Sequence, residues 1–260
     1  MNRTVALITG ASGGIGADLA RVFAAHGHDL ALVARSKDQL EALANEIAAT
    51  GKPKPIVIVE DLAKPDAAET IAAALKAADA SPDILVNNAG YGLLGDVADL
   101  DAAGQLGIID VNNRALLALT IKFLPAIKAA HGKILNVASI VSFFPGPGMA
   151  VYYASKAFDL SFGHALGYEL RKDGVTVTTL CPGVTTTGFQ SRAGFHSGMM
   201  LMRLGAATSA SVAEAGYAGT MAGRRTVIHG LANKLLCYTA PFLPSAILLP
   251  VIAAMQRSKS

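Results

Sequence analysis

Short apolar runs alternate with longer, alanine-rich stretches along the 260 residues. Runs of this length bounded by turn residues read as strands buried on both faces. They fall at Val5 to Ile8, Leu30 to Ala34, Ile56 to Glu60, Ile84 to Asn87, Lys133 to Val137, Val175 to Leu180 and Thr226 to His229. Between them apolar side chains recur at helical spacing, as at Leu19, Val22 and Phe23, or at Leu40, Leu43, Ala44 and Ile47. Strand-helix alternation predicts an α/β fold, a doubly wound sheet of seven parallel strands with helices on both faces. Ser36 followed by Gln39 predicts a capping box at the start of the second helix. No repeat or linker divides the chain, so one domain is expected over residues 1–230, followed by a hydrophobic extension, 231–260, packed on that domain or on a partner.

The first strand runs into Thr9-Gly10-Ala11-Ser12-Gly13-Gly14-Ile15-Gly16, and a helix follows at once. A helix amino terminus offers unpaired N–H groups and a partial positive charge, and glycines let a pyrophosphate approach that backbone. The spacing of Gly10, Gly14 and Gly16 is GxxxGxG rather than GxGxxG, so the motif takes its meaning from the strand before and the helix after. The fold expected around it is Rossmann-like. The second strand ends in Ala34-Arg35-Ser36, where a dinucleotide fold places an acid for the ribose 2′-hydroxyl. Here Arg35 stands instead and suits a 2′-phosphate, with Ser12 as a further donor, which favours NADP(H) while leaving NAD(H) open.

Tyr152-Tyr153-Ala154-Ser155-Lys156 opens a long predicted helix, whose four-residue spacing puts Tyr152 and Lys156 on one face. A phenol with a pKa of about 10 exchanges protons poorly at neutral pH, and a nearby ammonium lowers that value. Ser139 ends the fifth strand at the carboxyl edge of the sheet, where open α/β folds bind ligands, and its hydroxyl can steady a substrate oxygen.

On the glycine loop, the YxxxK pair and Ser139, the chain resembles the short-chain dehydrogenase/reductase family, in its single-domain branch, over about residues 1–230. The resemblance implies NAD(P)-dependent hydride transfer, with Tyr152 as general acid or base, Lys156 lowering its pKa and holding the ribose, and Ser139 orienting the reacting oxygen. It implies that Asn112 holds a water in the proton relay, although Ala115 replaces a common glycine and Asn113 is a second asparagine alongside. Asn88, Ala89 and Gly90 match a segment beside the cofactor, and Asp61 and Leu62 an adenine-side contact. Pro182, Gly183 and Thr187 match a segment that closes over the nicotinamide, and Ile15 lies within the phosphate loop. Homodimers or homotetramers built on residues 113–128 and 153–171 are also implied.

Gly188 to Gly205, with Phe189, Phe195, Met199, Met200, Leu201 and Met202, reads as a mobile apolar lid. With Phe143 and Phe144 it points to an apolar ketone or secondary alcohol as substrate. A formal charge of +3 without a run of bases gives no footprint for nucleic acid. Neither the six histidines nor Cys181 and Cys237 have metal-ligand spacing, so no metal is expected, and the cysteines read as packed thiols of a reducing cytoplasm. The segment 235–255 is nearly uncharged, but Pro241, Pro244 and Pro250 break it. A cleft cover or subunit contact is favoured there, and a peripheral membrane contact is the lesser alternative. Two other classes compete: a catalytically silent NADP(H) sensor, which has no need of Ser139, Tyr152 and Lys156 together, and a membrane-associated scaffold acting through the tail. A nucleotide-sugar epimerase or dehydratase is disfavoured by the glycine spacing and the short chain.

Overall fold

The computed structural model describes residues 3–189, 193 and 206–256. In chain order the strands are β1 (Arg3–Thr9), β2 (Leu30–Ala34), β3 (Ile56–Val59), β4 (Ala80–Asn87), β5 (Lys133–Val137), β6 (Thr176–Cys181), β7 (Thr185–Thr186), β8 (Ala207–Thr208) and β9 (Thr226–Ile228). The helices are α1 (Gly14–Ala25), α2 (Lys37–Ala49), α3 (Ala67–Ala77), α4 (Ala102–Ile109), α5 (Ala115–Ala129), α6 (Ala150–Glu169), α7 (Ser209–Met221), α8 (Leu231–Thr239) and α9 (Ser245–Gln256). Seven strands form one parallel sheet in the order β3-β2-β1-β4-β5-β6-β9, and β7 and β8 pair separately. All seven expected strands are present, with ends that differ from the sequence reading by a few residues at most apart from β4, which begins four residues earlier.

Burial on both faces explains why these strands read as continuous apolar runs. In β1, Ala6 and Ile8 face a core shared with Leu19, Val22 and Phe23 of α1, Leu40, Leu43 and Ile47 of α2, and Val212 of α7. Val5 and Leu7 face the opposite core, built from Ile71 and Leu75 of α3, Leu119, Phe123 and Ile127 of α5, and Leu166 of α6. Strand alternation thus divides the helices between two layers. Leu7 and Ile8 are fully buried, and each contributes about 1.5–3 kcal/mol through transfer from water.

The expected capping box is not formed. Ser36 is the residue before α2, but its side chain accepts no capping hydrogen bond, and Gln39 is exposed. The first turn is held instead by Leu40, buried in the core and donating its N–H to Ser36 O at 3.1 Å, and Leu43, Ala44 and Ile47 continue that buried face.

Strand order reverses between β1 and β4, since the chain moves from β1 outward through β2 and β3 and returns to the other side. The crevice at the carboxyl ends of these two strands is where an open sheet leaves room for a ligand.

Candidate active site

The segments after β1 and β4 are tied together at this crevice. Thr9 Oγ1 donates to Val86 O at 3.1 Å and accepts from the N–H groups of Asn88 and Ala89 at 3.0 and 3.1 Å. Asn88 Nδ2 donates to Thr9 O at 2.9 Å and Gly10 O at 3.3 Å. A β-carbon at residue 16 would run into the Gly10 carbonyl and the Asn88 amide, so only glycine allows this crossing. Gly14 has a φ of +55° and lies beneath Thr187, whose Cγ2 is 3.0 Å from where a β-carbon would sit. Thr187, just after β7, therefore lies against the phosphate loop.

Gly13 precedes α1, is exposed, and has no atom within 4 Å of a built β-carbon. No acidic residue occupies the first turn of α1, and no side chain caps it. The helix end is therefore an open, positively polarised cradle, which fits a dinucleotide pyrophosphate. Beyond it, Arg35 and Ser36 are exposed at the end of β2, and Ser12 is partly exposed on the loop. Arg21, another cation on α1, is committed to Glu46 at 2.7 and 2.8 Å and to Asp18 at 2.8 Å. Asp61 Oδ1 accepts from Ala63 N at 3.0 Å, and Leu62 is buried.

Tyr152 and Lys156 project from the first turns of α6, and Ser139 meets them from the end of β5. The Tyr152 phenol is pushed above its ordinary value by burial, while a hydrogen bond with the Ser139 hydroxyl draws it down and Asp159 adds to the rise. Its ring packs on Gly92, where a β-carbon would lie 2.8 Å from Cγ, and beside Phe189 with centroids 5.3 Å apart. Lys156 is buried, and its ammonium donates to Val137 O at 2.9 Å and to Asp159 Oδ2 at 3.0 Å. A β-carbon at Gly90 would lie 3.4 Å from Lys156 Nζ and 3.1 Å from Asn112 Oδ1, so this glycine keeps the floor of the crevice open.

Asn112 sits in a π-helical turn, Asp110–Arg114, between α4 and α5. Its Oδ1 accepts from Tyr91 N at 3.0 Å, and its Nδ2 donates to Tyr91 O at 3.0 Å and Ser155 Oγ at 2.9 Å. Ser155 Oγ in turn donates to Tyr152 O at 2.7 Å. Both Nδ2 hydrogens of Asn112 are thus taken by protein groups, which clamps the turn to α6, while Oδ1 keeps a second lone pair. Two contributors escaped the sequence reading: Asp159 and Asn113, whose Nδ2 donates to Ser155 O at 2.9 Å and to Asp159 Oδ1 at 3.3 Å. Asp159 lies one helical turn beyond Lys156 and carries no local signal that separates it from a surface acid.

Pro182 O accepts from Ile140 N at 3.0 Å, which aligns the segment after β6 with that after β5. Beside Tyr152, an apolar cluster joins Phe144, Met149 and Tyr153 to Ala240, Leu248 and Ile252, with Leu94, Val141 and Phe143 at its edge. Gln256 Nε2 donates to Tyr153 Oη at 2.6 Å, so α9 is fastened to α6. Burial pushes the Tyr153 phenol up to about 12, and Gln256 opposes that rise. Phe195, Met199, Met200, Leu201 and Met202 lie outside the described residues. Cys181 and Cys237, distant in sequence, are free thiols in one buried cluster with Ala138, Ile140 and Ile228. Among the described residues, no helix is long and apolar enough to cross a membrane.

Residues 4–195 match the family model described as short chain dehydrogenase. A short chain dehydrogenase from Pseudocercospora fijiensis is 37% identical over 183 residues, covering 68% of this chain and 58% of that protein. The chain thus spans somewhat over half the length of that relative. A short-chain dehydrogenase from Sphingobium yanoikuyae, solved in complex with NADPH, is 34% identical with a TM-score of 0.79, covering 88% of each chain. The bulky-bulky ketone specific alcohol dehydrogenase from Comamonas testosteroni is 29% identical with a TM-score of 0.76, covering 92% of this chain and 91% of that one. With its parallel sheet and this match over most of its length, the chain belongs to the short-chain dehydrogenase family.

Proposed function

We propose that this protein interconverts a bulky apolar ketone and its secondary alcohol with NADP(H). The observation that carries the reading is the convergence of Ser139, Tyr152 and Lys156 on the crevice whose other wall is the phosphate loop. The open end of α1, with Gly13, Gly14, Ile15 and Gly16, would hold the pyrophosphate, and Asp61, Leu62, Asn88, Ala89 and Gly90 would border the adenosine half. Pro182, Gly183 and Thr187 would enclose the nicotinamide, which supplies or accepts the hydride when bound.

In the reducing direction Ser139 holds the substrate oxygen, and Tyr152 gives it a proton. In oxidation Tyr152 takes that proton back. Lys156 has three N–H donors, of which Val137 O and Asp159 take two, so one is left to reach a ribose hydroxyl over Gly90. Asn112 keeps the π-helical turn against α6, and the proton relay to solvent runs past it.

The apolar surroundings of Tyr152 support this substrate class: Phe143 and Phe189 lie beside it, backed by a buried cluster of Phe144, Met149, Leu248 and Ile252. The kinship with an alcohol dehydrogenase specific for bulky ketones supports the same choice. Self-association would use α5 and α6, where Ile121 and Phe158 are exposed.

Arg35 sets the cofactor preference. Replacing it with alanine removes a charge-assisted contact worth about 1.5–3 kcal/mol, so kcat/KM with NADPH falls by about ten- to a hundred-fold while that with NADH is nearly unchanged. Steady-state kinetics with both coenzymes check this. Equal loss with both would show that Arg35 does not contact the 2′-phosphate. Reduction of ketones of graded size and polarity tests the substrate class, and a preference for small sugars would refute it.

A further inference from the structure

Asp159 lies fully buried on α6, one turn beyond Lys156 and directed at the same ammonium. Its two oxygens are divided between partners: Oδ2 accepts from Lys156 Nζ at 3.0 Å and Oδ1 from Asn113 Nδ2 at 3.3 Å. Asn113 is anchored in turn to Ser155 O, so the carboxylate is gripped from the π-helical turn as well as from its own helix. A buried carboxylate held this way offsets the charge of the cation beside it. An ammonium so paired stabilises a neighbouring phenolate less than an isolated one.

We infer that Asp159 is a positioning residue that aims the Lys156 ammonium and offsets its charge, so that Tyr152 keeps its proton to higher pH and favours carbonyl reduction over alcohol oxidation. This rests on the reading of Tyr152 as the proton carrier. The direction follows from the surrounding groups. Burial raises the Tyr152 phenol, Ser139 lowers it, and Asp159 raises it further. Burial also raises Asp159, against which Lys156 and Asn113 act. From β6 the Cys181 thiol faces the pair and is held neutral by burial, and Cys237 on α8 behaves alike, pushed up to about 11. Tyr153 is neutral beside Gln256. Asp110 and Arg114 pair with one another at the partly exposed rim of the turn. Asp159, paired with Lys156, is thus the charged group that acts on Tyr152 among the described residues.

The test is the titration of the Tyr152 phenol by ¹³Cζ-tyrosine NMR, with Tyr152→Phe to assign the signal, in the native protein and in Asp159→Asn. Removing the carboxylate leaves the phenolate as the anion that meets Lys156, and the Tyr152 midpoint is expected to fall by about one pH unit or more. The basic limb of the reduction profile moves to lower pH in parallel. An unmoved phenol titration overturns the inference, including when kcat falls equally at every pH, because a purely structural role gives that pattern. A shifted phenol in a protein that reduces no ketone supports the pairing and refutes the proposed reaction instead. Should Asp159→Asn fail to fold, the native ¹³Cγ-aspartate spectrum decides: an ionised Asp159 at neutral pH is expected, and a protonated one overturns the proposal.

Discussion

Tyr152→Phe is expected to lower kcat by about 10²–10⁴-fold, the range that one positioned acid or base contributes, while NADPH binding stays nearly unchanged. The substitution deletes one oxygen and keeps the ring, so the packing on Gly92 and Phe189 survives. Ser139 keeps its place because the Val141 N–H remains its partner at 3.3 Å. The ties that hold the phosphate loop among the described residues, between Thr9, Gly10 and Asn88, do not involve the lost hydroxyl. Turnover and coenzyme affinity should therefore separate, turnover read from steady-state rates and affinity from NADPH fluorescence. Wild-type kcat in the variant would remove Tyr152 from the chemistry, and a parallel loss of NADPH binding would make its role structural.

A second large effect is expected at Lys156. Lys156→Met removes the ammonium but leaves Asp159 buried, which costs about 3–5 kcal/mol of stability when one partner of a buried pair is lost. Pairing it with Asp159→Val replaces both charges by apolar groups, an exchange that is often neutral or better. The double variant should recover most of the lost stability in denaturant titrations and none of the lost activity. A pH dependence accompanies the single variant. Burial raises Asp159 above its unfolded value and Lys156 opposes that rise, so without the ammonium the folded value climbs further, and stability is lost over a wider range as pH rises from the unfolded to the folded value. The deficit of Lys156→Met should therefore shrink toward acid pH. An unfolding curve identical to wild type at neutral pH would show that the pair carries no such coupling.

The same pair shows where the sequence stopped being readable. Tyr152 and Lys156 announce themselves through their four-residue spacing, and the glycine loop through its place between β1 and α1. Asp159 lies three residues beyond Lys156 and looks like any surface acid of an amphipathic helix. Only its zero exposure and the approach of Asn113 from another element give it meaning, and neither is local. Asn113 read as a competitor to Asn112, whereas the π-helical turn gives each amide separate partners. Strands were legible because burial on both faces leaves an unbroken apolar run. The end of α2 was not, since packing made the Ser36 cap dispensable.

The tail is a harder case. Both sides of α9 are apolar: Leu248 and Ile252 face the Tyr153 cluster, while Ile247 and Val251 are exposed. A helix without a polar face gives periodicity nothing to detect. Its orientation is set by Gln256, whose hydrogen bond to Tyr153 spans 103 residues of sequence. Cys181 and Cys237 likewise meet only in the fold.

On the proposed reading, a hydride and a proton pass in this crevice between NADPH and an apolar ketone. Incubating the protein with NADPH deuterated at the transferring carbon and a bulky apolar ketone, then analysing the alcohol by mass spectrometry and NMR, tests it directly. Deuterium on the carbinol carbon, on a single face, and abolished in Tyr152→Phe, is the expected result. Tight NADPH binding with no deuterium transferred to any ketone in a graded series would contradict it.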